Sequence, residues 1–417
     1  MPPDAGLVNE DQADPLGLAL TACKIPAMRT GLERLLDEPR RWLGRARVGL
    51  VANPTAVDRQ LSHAVDLLHR HAEVDLRLLF GPEHGIRGAA QDMIGVADAR
   101  DTVTGLPEIS LYGETLESLS PTPAHLSQID VLVFDLQDIG ARYYTYAATM
   151  ALCMRAAASA GVKVVVLDRP NPIGGVQIEG GGLQPGLENF CGLYPVPQRH
   201  ALTIGELARL YNDAFGIGCH LEVVSCEGWR REWYYDACGL PWVMPSPNMP
   251  TLDTAIVYPG MCLLEGTNLS EGRGTTRPFE LFGSPFIDGL AFAQELRRYQ
   301  LPGVHFRPCV IVPAFHKFAG QRCGGVQLHV TDRRAFGPFQ TGLAVLLAVK
   351  ALWPAQFSWR TEPYEFRGDV PAIDLLTGQP AVRHAIDAGA TLDAVMQIAC
   401  TGREVYDTAR NQALLYD

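Results

Sequence analysis

Residues 130–168 read DVLVFDLQDIGARYYTYAATMALCMRAAASAGVKVVVLD. A run of apolar residues (130–136) breaks into a polar exit. An Ala-rich stretch (144–161) follows and ends on Gly161, a residue suited to a helix C-cap, and a second apolar run (163–168) comes next. Neither apolar run alternates with polar residues, as expected of strands buried on both faces, and strands joined by a helix-length crossover run parallel. The pattern continues outward. Candidate strands lie at 47–53, 76–80 and 108–113, and a candidate helix at 63–71. A further helix at 203–216 opens with Thr203 and Glu206 at capping-box spacing. The expected class is α/β, with a mostly parallel sheet covered by helices on both faces.

At 417 residues the chain exceeds what one hydrophobic core usually organises. The segment PWVMPSPNMP (241–250) holds four prolines in ten residues, which neither a helix nor a central strand tolerates, and it marks a junction. A larger domain is therefore expected over 29–250. A smaller α+β domain should follow over 251–417, with a strand at 326–330 and a helix at 339–353. Residues 1–28 read as an acidic, disordered leader. Within it, Leu-Thr-Ala-Cys ending at Cys23 looks like a lipoprotein cleavage site, but Asp4, Glu10, Asp11 and Asp14 precede it without any Lys or Arg. A cytoplasmic location is expected, with export through Cys23 as the alternative. The ten cysteines form no C-x-x-C pair, which fits a reducing compartment. No apolar run reaches the ~18 residues that span a bilayer. A net charge of −11 without a basic run argues against nucleic acid as a partner.

In such sheets ligands bind beyond the carboxyl ends of the strands. The exits NPTAVD, GPEHGIRG, DLQDIGARYYTY and DRPNPIGG bring Asn53, Glu83, His84, Arg87, Asp135, Gln137, Asp138, Arg142, Tyr143, Asp168, Arg169 and Asn171 to one edge. Taken singly, residues at strand ends are usually turn formers or caps, and Asn53, Asp168 and Asn171 need be no more than that; four polar exits together are the signal. Glu83 follows Pro82 at a glycine-flanked exit, and its competing reading is an ion pair with Arg87. His84 reads as an orienting hydrogen-bond donor, a second acid/base or a satisfied histidine. A metal would draw on His84 with Asp135 or Asp138, but no two histidines have ligand spacing, so none is expected. G-x-G-x-x-G, G-x-x-x-x-G-K-[ST] and G-x-S-x-G are all absent, so neither a nucleotide cofactor nor a nucleophile elbow is expected. Carboxylates, amides, arginines and tyrosines in one cleft suit a carbohydrate, and two carboxyl groups are what glycosidic cleavage requires. The alternative is a non-catalytic sugar-binding protein on the same scaffold.

The segments GLVANPTAVD, LLFGPEHGIRG, VFDLQDIGARYYTY, VLDRPNPIGG, PSPNMPT, YPGMCLLEGTNLSEGRGT and PFELFGSP, in this order, resemble the exo-β-N-acetylmuramidases of the NamZ type, glycoside hydrolase family 171, formerly a domain of unknown function. The resemblance runs from about Thr30 to the carboxyl terminus. It implies a Rossmann-like catalytic domain, a smaller C-terminal domain and a cleft between or beside them. The implied reaction is release of N-acetylmuramic acid from the non-reducing end of peptidoglycan fragments. By motif, the family's glutamate falls on Glu83. Asp138, Arg142 and Tyr143 would contact substrate, and Asn268, Glu271 and Arg273 would reach the cleft from the junction. The expected catalytic set is Glu83, His84 and Asp138. The expected substrate contacts are Asn53, Arg87, Gln137, Arg142, Tyr143, Arg169, Asn171, Asn268, Glu271 and Arg273. Arg142 or Arg273 is expected to meet the lactyl carboxylate of N-acetylmuramic acid, the competing role being a loop brace. As general acid, Glu83 would need a pKa raised by desolvation or by Asp138, with Arg87 turned away. Failing Glu83, the acid would be sought at Asp138, Glu265 or Glu271.

Overall fold

The computed structural model describes residues 28–87, 99–113 and 115–417. The expected leader through residue 27, with Cys23, lies outside them. Among the described residues, ten strands form two sheets. The first seven are β1 (Arg47–Ala52), β2 (Asp75–Gly81), β3 (Ala99–Arg100), β4 (Pro107–Ser110), β5 (Val131–Asp135), β6 (Lys163–Leu167) and β7 (Leu221–Val224). They make one sheet in the order β3-β4-β2-β1-β5-β6-β7, parallel throughout except where β3 pairs with β4. After β1 the chain builds outward to one side through β2 and β4, then returns to place β5 on the other flank of β1. The strand order therefore reverses beside β1, the point at which sheets of this kind open a crevice.

Side chains alternate across the sheet because successive Cβ atoms point to opposite faces. Val48, Leu50 and Ala52 pack on one face against Leu32, Leu35, Val65 and Leu68 of the helices Gly31–Asp37 and Ala64–Arg70. Val51, Phe80, Leu132 and Phe134 share the other face with Met150 and Met154 of the helix Tyr146–Ala160, which Gly161 ends at φ 68°. The capping box at Thr203 forms, with Glu206 returning to the Thr203 amide, and starts the helix Ile204–Arg209.

The remaining strands, β8 (Leu281–Ser284), β9 (Val304–Ile311) and β10 (Cys323–Val330), form an antiparallel sheet in the order β8-β10-β9. Two helices beside it, Leu252–Met261 and Pro338–Leu352, cross backbone to backbone. A Cβ on Gly260 would stand 1.8 Å from the Pro338 carbonyl oxygen, so only glycine permits that approach. The apolar core is continuous from the large sheet into this region. The chain's end returns to the large sheet, where the Tyr416 hydroxyl bonds Asp168 and the Leu414 carbonyl accepts from Arg209. Strands β3, β7, β8 and β9 escaped the sequence reading. β7 is four residues at a sheet edge, and β9 is an edge strand whose run is interrupted by Arg307 and Pro308.

Candidate active site

The turn after β2 folds tightly over the strand end. A Cβ on Gly81 would lie 3.2 Å from the Ile86 nitrogen, and the Gly85 amide bonds the Pro82 carbonyl at 2.9 Å. His84 and Gly85 both sit at φ 74°. For His84 this left-handed conformation costs on the order of 1 kcal/mol, and such strain gathers where a site needs a side chain aimed. The side chain aimed here is Glu83, which is buried, lines a cleft and accepts from Thr145 Oγ1 at 3.1 Å.

The cleft opens to solvent, and both halves of the chain line it. On the sheet side it is lined by Glu83, His84 and the run Tyr143–Tyr146, whose rings continue into Tyr258 and Phe279 through edge-on contacts of 4.8–5.8 Å. Burial, with the charge of nearby Glu83 adding to it, pushes the Tyr144 and Tyr146 phenols upward, so both stay neutral donors at physiological pH.

The facing wall comes from the second half of the chain. Glu265 accepts from Arg273 at 2.8 Å and from the Tyr364 hydroxyl at 2.7 Å. Behind it, fully buried Glu271 lies 3.4 Å from Arg273 Nε, 3.2 Å from His316 Nδ1 and 3.0 Å from Lys317 Nζ. Burial pushes the Glu271 carboxyl up, but Lys317, His316 and Arg273 outweigh it and hold the group well below the usual carboxylate range. Glu271 is therefore a fixed anion that positions three cleft-lining cationic or titratable groups.

Of the residues expected from sequence, Glu83, His84, Tyr143 and Arg273 line this cleft, and Glu271 supports it. The others close loops. Arg142 is buried with its guanidinium on the carbonyls of Val196 (3.0 Å) and Leu376 (2.6 Å), and burial lowers its pKa to about 10. Arg169 forks onto Asp135 at 2.6 and 2.9 Å. Asp138 accepts from the Gly140 amide at 2.6 Å and stands 3.2 Å from His200 Nε2. Gln137 donates to the Asp138 and Pro170 carbonyls, Asn53 accepts from Thr55, and Asn171 spans Leu202 and Ile173. Asp168 receives Thr203 Oγ1 and the Gly205 amide, both at 2.8 Å. Arg87 turns to Asp66 and Asp101, each at 3.0 Å. Asn268 bonds the backbone of Gln356 and Ser358.

The sequence reading passed over Tyr144, Tyr146, His316, Lys317, Arg360 and Tyr364 as cleft residues. The repeated tyrosines in ARYYTY were a usable signal, since aromatic faces cover sugar C–H surfaces; AFHKFAG (314–320) carries no recognisable motif. Among the described residues no three His, Cys, Asp or Glu side chains converge as metal ligands would.

A doubly wound sheet whose carboxyl edge presents a carboxylate and a tyrosine cluster to a second domain defines a two-domain α/β protein built around a cleft lined by carboxylates, cations and tyrosines. Models of the exo-β-N-acetylmuramidase NamZ family match it in two parts, the N-terminal over residues 48–253 and the C-terminal over 256–416. The chain belongs to this family. It is 43% identical over 411 residues to the peptidoglycan β-N-acetylmuramidase NamZ of Bacillus subtilis (strain 168), spanning 99% of this chain and 96% of that protein. Two solved structures of DUF1343 family proteins from Bacteroides fragilis NCTC 9343 share the fold. One has a TM-score of 0.86 at 35% identity and the other 0.74 at 27%, each covering 94% of this chain and 99% of its own.

Proposed function

We propose that this chain is a glycoside hydrolase that releases β-linked N-acetylmuramic acid from the non-reducing end of peptidoglycan fragments. The full-length identity to a peptidoglycan β-N-acetylmuramidase carries the reading, and the aimed carboxyl of Glu83 supplies its chemistry. Glu83 protonates the glycosidic oxygen as the bond to the anomeric carbon breaks, so the leaving sugar departs as an alcohol. Positive charge develops on the ring that stays behind, and a water then adds to its anomeric carbon, the proton it loses restoring the Glu83 acid. Glu265, across the cleft with its two oxygens held by Arg273 and Tyr364, is fixed as an acceptor rather than a donor and stabilises that charge. The tyrosines cover the apolar face of the ring, and His84 holds the turn that positions Glu83.

The same reading places the protein in the cytoplasm, supported by nine unpaired cysteines among the described residues, seven of them buried. It divides the chain near Pro250, supported by the helix that Thr251 caps directly afterwards. Incubation with a chromogenic β-N-acetylmuraminide tests the activity: steady release of the chromophore is expected. Saturable binding without release would instead identify a sugar-binding protein.

A further inference from the structure

The cleft holds several cations, and they differ in what already neutralises them. Arg273 lies between Glu265 and Glu271. Lys317 is held by Glu271 and by the carbonyls of Leu264 and Leu269 at 3.0–3.1 Å. Arg360 is different. Its backbone amide bonds the Gly266 carbonyl at 2.9 Å, which fixes the segment against the cleft wall. Its guanidinium stands 5.1 Å from the Tyr364 ring centroid with Nη2 on the Pro363 carbonyl at 3.0 Å. Among the described residues no carboxylate forms an ion pair with it. The aromatic face and the single carbonyl hold the guanidinium plane while leaving donors for a ligand.

Its location matters as much as its charge. Arg360 lines the catalytic cleft and also an adjoining groove that passes Asn268, Phe318 and Trp359, with His316 and Lys317 shared between the two. It therefore borders both the cleft and the groove that continues from it. N-acetylmuramic acid differs from N-acetylglucosamine by a lactyl ether, so a carboxylate replaces a hydroxyl. A forked guanidinium without a carboxylate of its own matches that group in charge and geometry.

We infer that Arg360 is the specificity residue of the cleft, receiving the lactyl carboxylate and so selecting muramic over glucosamine sugars. The inference rests on the proposed activity for its choice of ligand, but its test does not need turnover. Calorimetric titration of free N-acetylmuramic acid and free N-acetylglucosamine into wild type, Arg360→Gln and Arg360→Lys reads the preference directly. Arg360→Gln should weaken N-acetylmuramic acid by about 10–100-fold, the range of one charge-assisted hydrogen bond, and leave N-acetylglucosamine unchanged. Arg360→Lys, which keeps charge but loses the fork, should fall between, and both variants should melt with wild type. Equal weakening of both sugars, unchanged binding of N-acetylmuramic acid, or a wild type that binds neither sugar overturns the inference. Failure of the activity alone would appear as selective binding with no release from the chromogenic substrate.

Discussion

The carboxyl edge of the large sheet and the segment facing it, residues 265–280, are both crowded with ionisable side chains, yet they use them differently. At the sheet edge the partners are mostly backbone groups of neighbouring loops: Arg142 on the carbonyls of Val196 and Leu376, Asp168 on the Gly205 amide, Asp138 on the Gly140 amide. Arg169 and Asp135 pair with each other, almost wholly buried. In the facing segment Glu265, Arg273 and Glu271 bond one another together with His316, Lys317 and Tyr364, and most of that group borders the cleft. A buried polar group whose partners are loop carbonyls and amides is holding chain segments together. One whose partners are side chains on a cavity wall is shaping that cavity. Substitution should therefore lower stability at the first kind of position and turnover or selectivity at the second, with Glu83 the exception that belongs to the sheet edge but lines the cleft.

The largest expected effect tests that exception. Glu83→Gln keeps the shape and an acceptor for Thr145 but has no proton to deliver, and general acid catalysis typically contributes ~10²–10⁴-fold. Turnover of a natural disaccharide should fall by that factor with melting temperature and sugar binding intact, and an activated aryl substrate should lose less. Retention of turnover within about tenfold of wild type would return Glu83 to the scaffold. Next in size is Asp135→Asn. It leaves the buried Arg169 guanidinium without its counter-charge, which costs about 3–5 kcal/mol in comparable buried pairs. Denaturant unfolding should register that loss while kcat per folded molecule stays near wild type. A large loss of kcat with unchanged stability would make the sheet edge part of the reaction centre.

The same contrast explains what the sequence disclosed. The parallel sheet was legible because burial on both faces leaves uninterrupted apolar runs, as in β5 and β6, and because Thr203 and Glu206 form a capping box from local residues alone. The polar edge was legible as an edge, but residue type does not say whether a ligand or a loop satisfies a side chain. Arg142 meets carbonyls 54 and 234 residues further on, and no local pattern encodes those partners. The facing wall was half legible, and only through the family resemblance: its motif carried Glu271 and Arg273 to the cleft, with Glu265 as an alternative acid, whereas His316, Lys317, Arg360 and Tyr364 arrive from loops that only the packing of the second sheet brings round.

Arg142→Lys sharpens the comparison on a smaller scale. A lysine keeps the charge but cannot reach every carbonyl the guanidinium spans, and a buried acceptor left without its donor costs about 1–3 kcal/mol. Stability should drop by that order while the preference for muramic over glucosamine sugars is unchanged. A changed preference would move Arg142 from brace to substrate contact.

The smallest effect concerns the anchor of the Glu83 turn. Arg87, four residues beyond Glu83, is held by Asp66 and Asp101, and Asp101 also accepts from the Thr104 amide and hydroxyl at 2.8 Å. Burial raises the Asp101 carboxyl, but the bond from Arg87 and those from Thr104 outweigh it and bring it down to about 2. A depressed carboxyl stabilises the fold above its unfolded pKa of about 3.9 and loses that contribution as pH falls through its folded value. Asp101→Asn keeps an acceptor oxygen for Thr104 but removes the charge and places an amide NH2, which cannot accept, where Oδ1 met Arg87 Nε. Because the Arg87 side chain is one-third exposed, solvent screening limits the stability difference from wild type to about 1–2 kcal/mol at pH 7. That difference should persist down to about pH 4 and shrink through pH 2, where Asp101 of the wild type is half protonated, toward zero below it. Measured by denaturant unfolding across that interval, a difference that does not change with pH would mean that the Asp101 charge contributes nothing to the anchor and that the Thr104 bonds alone hold the turn.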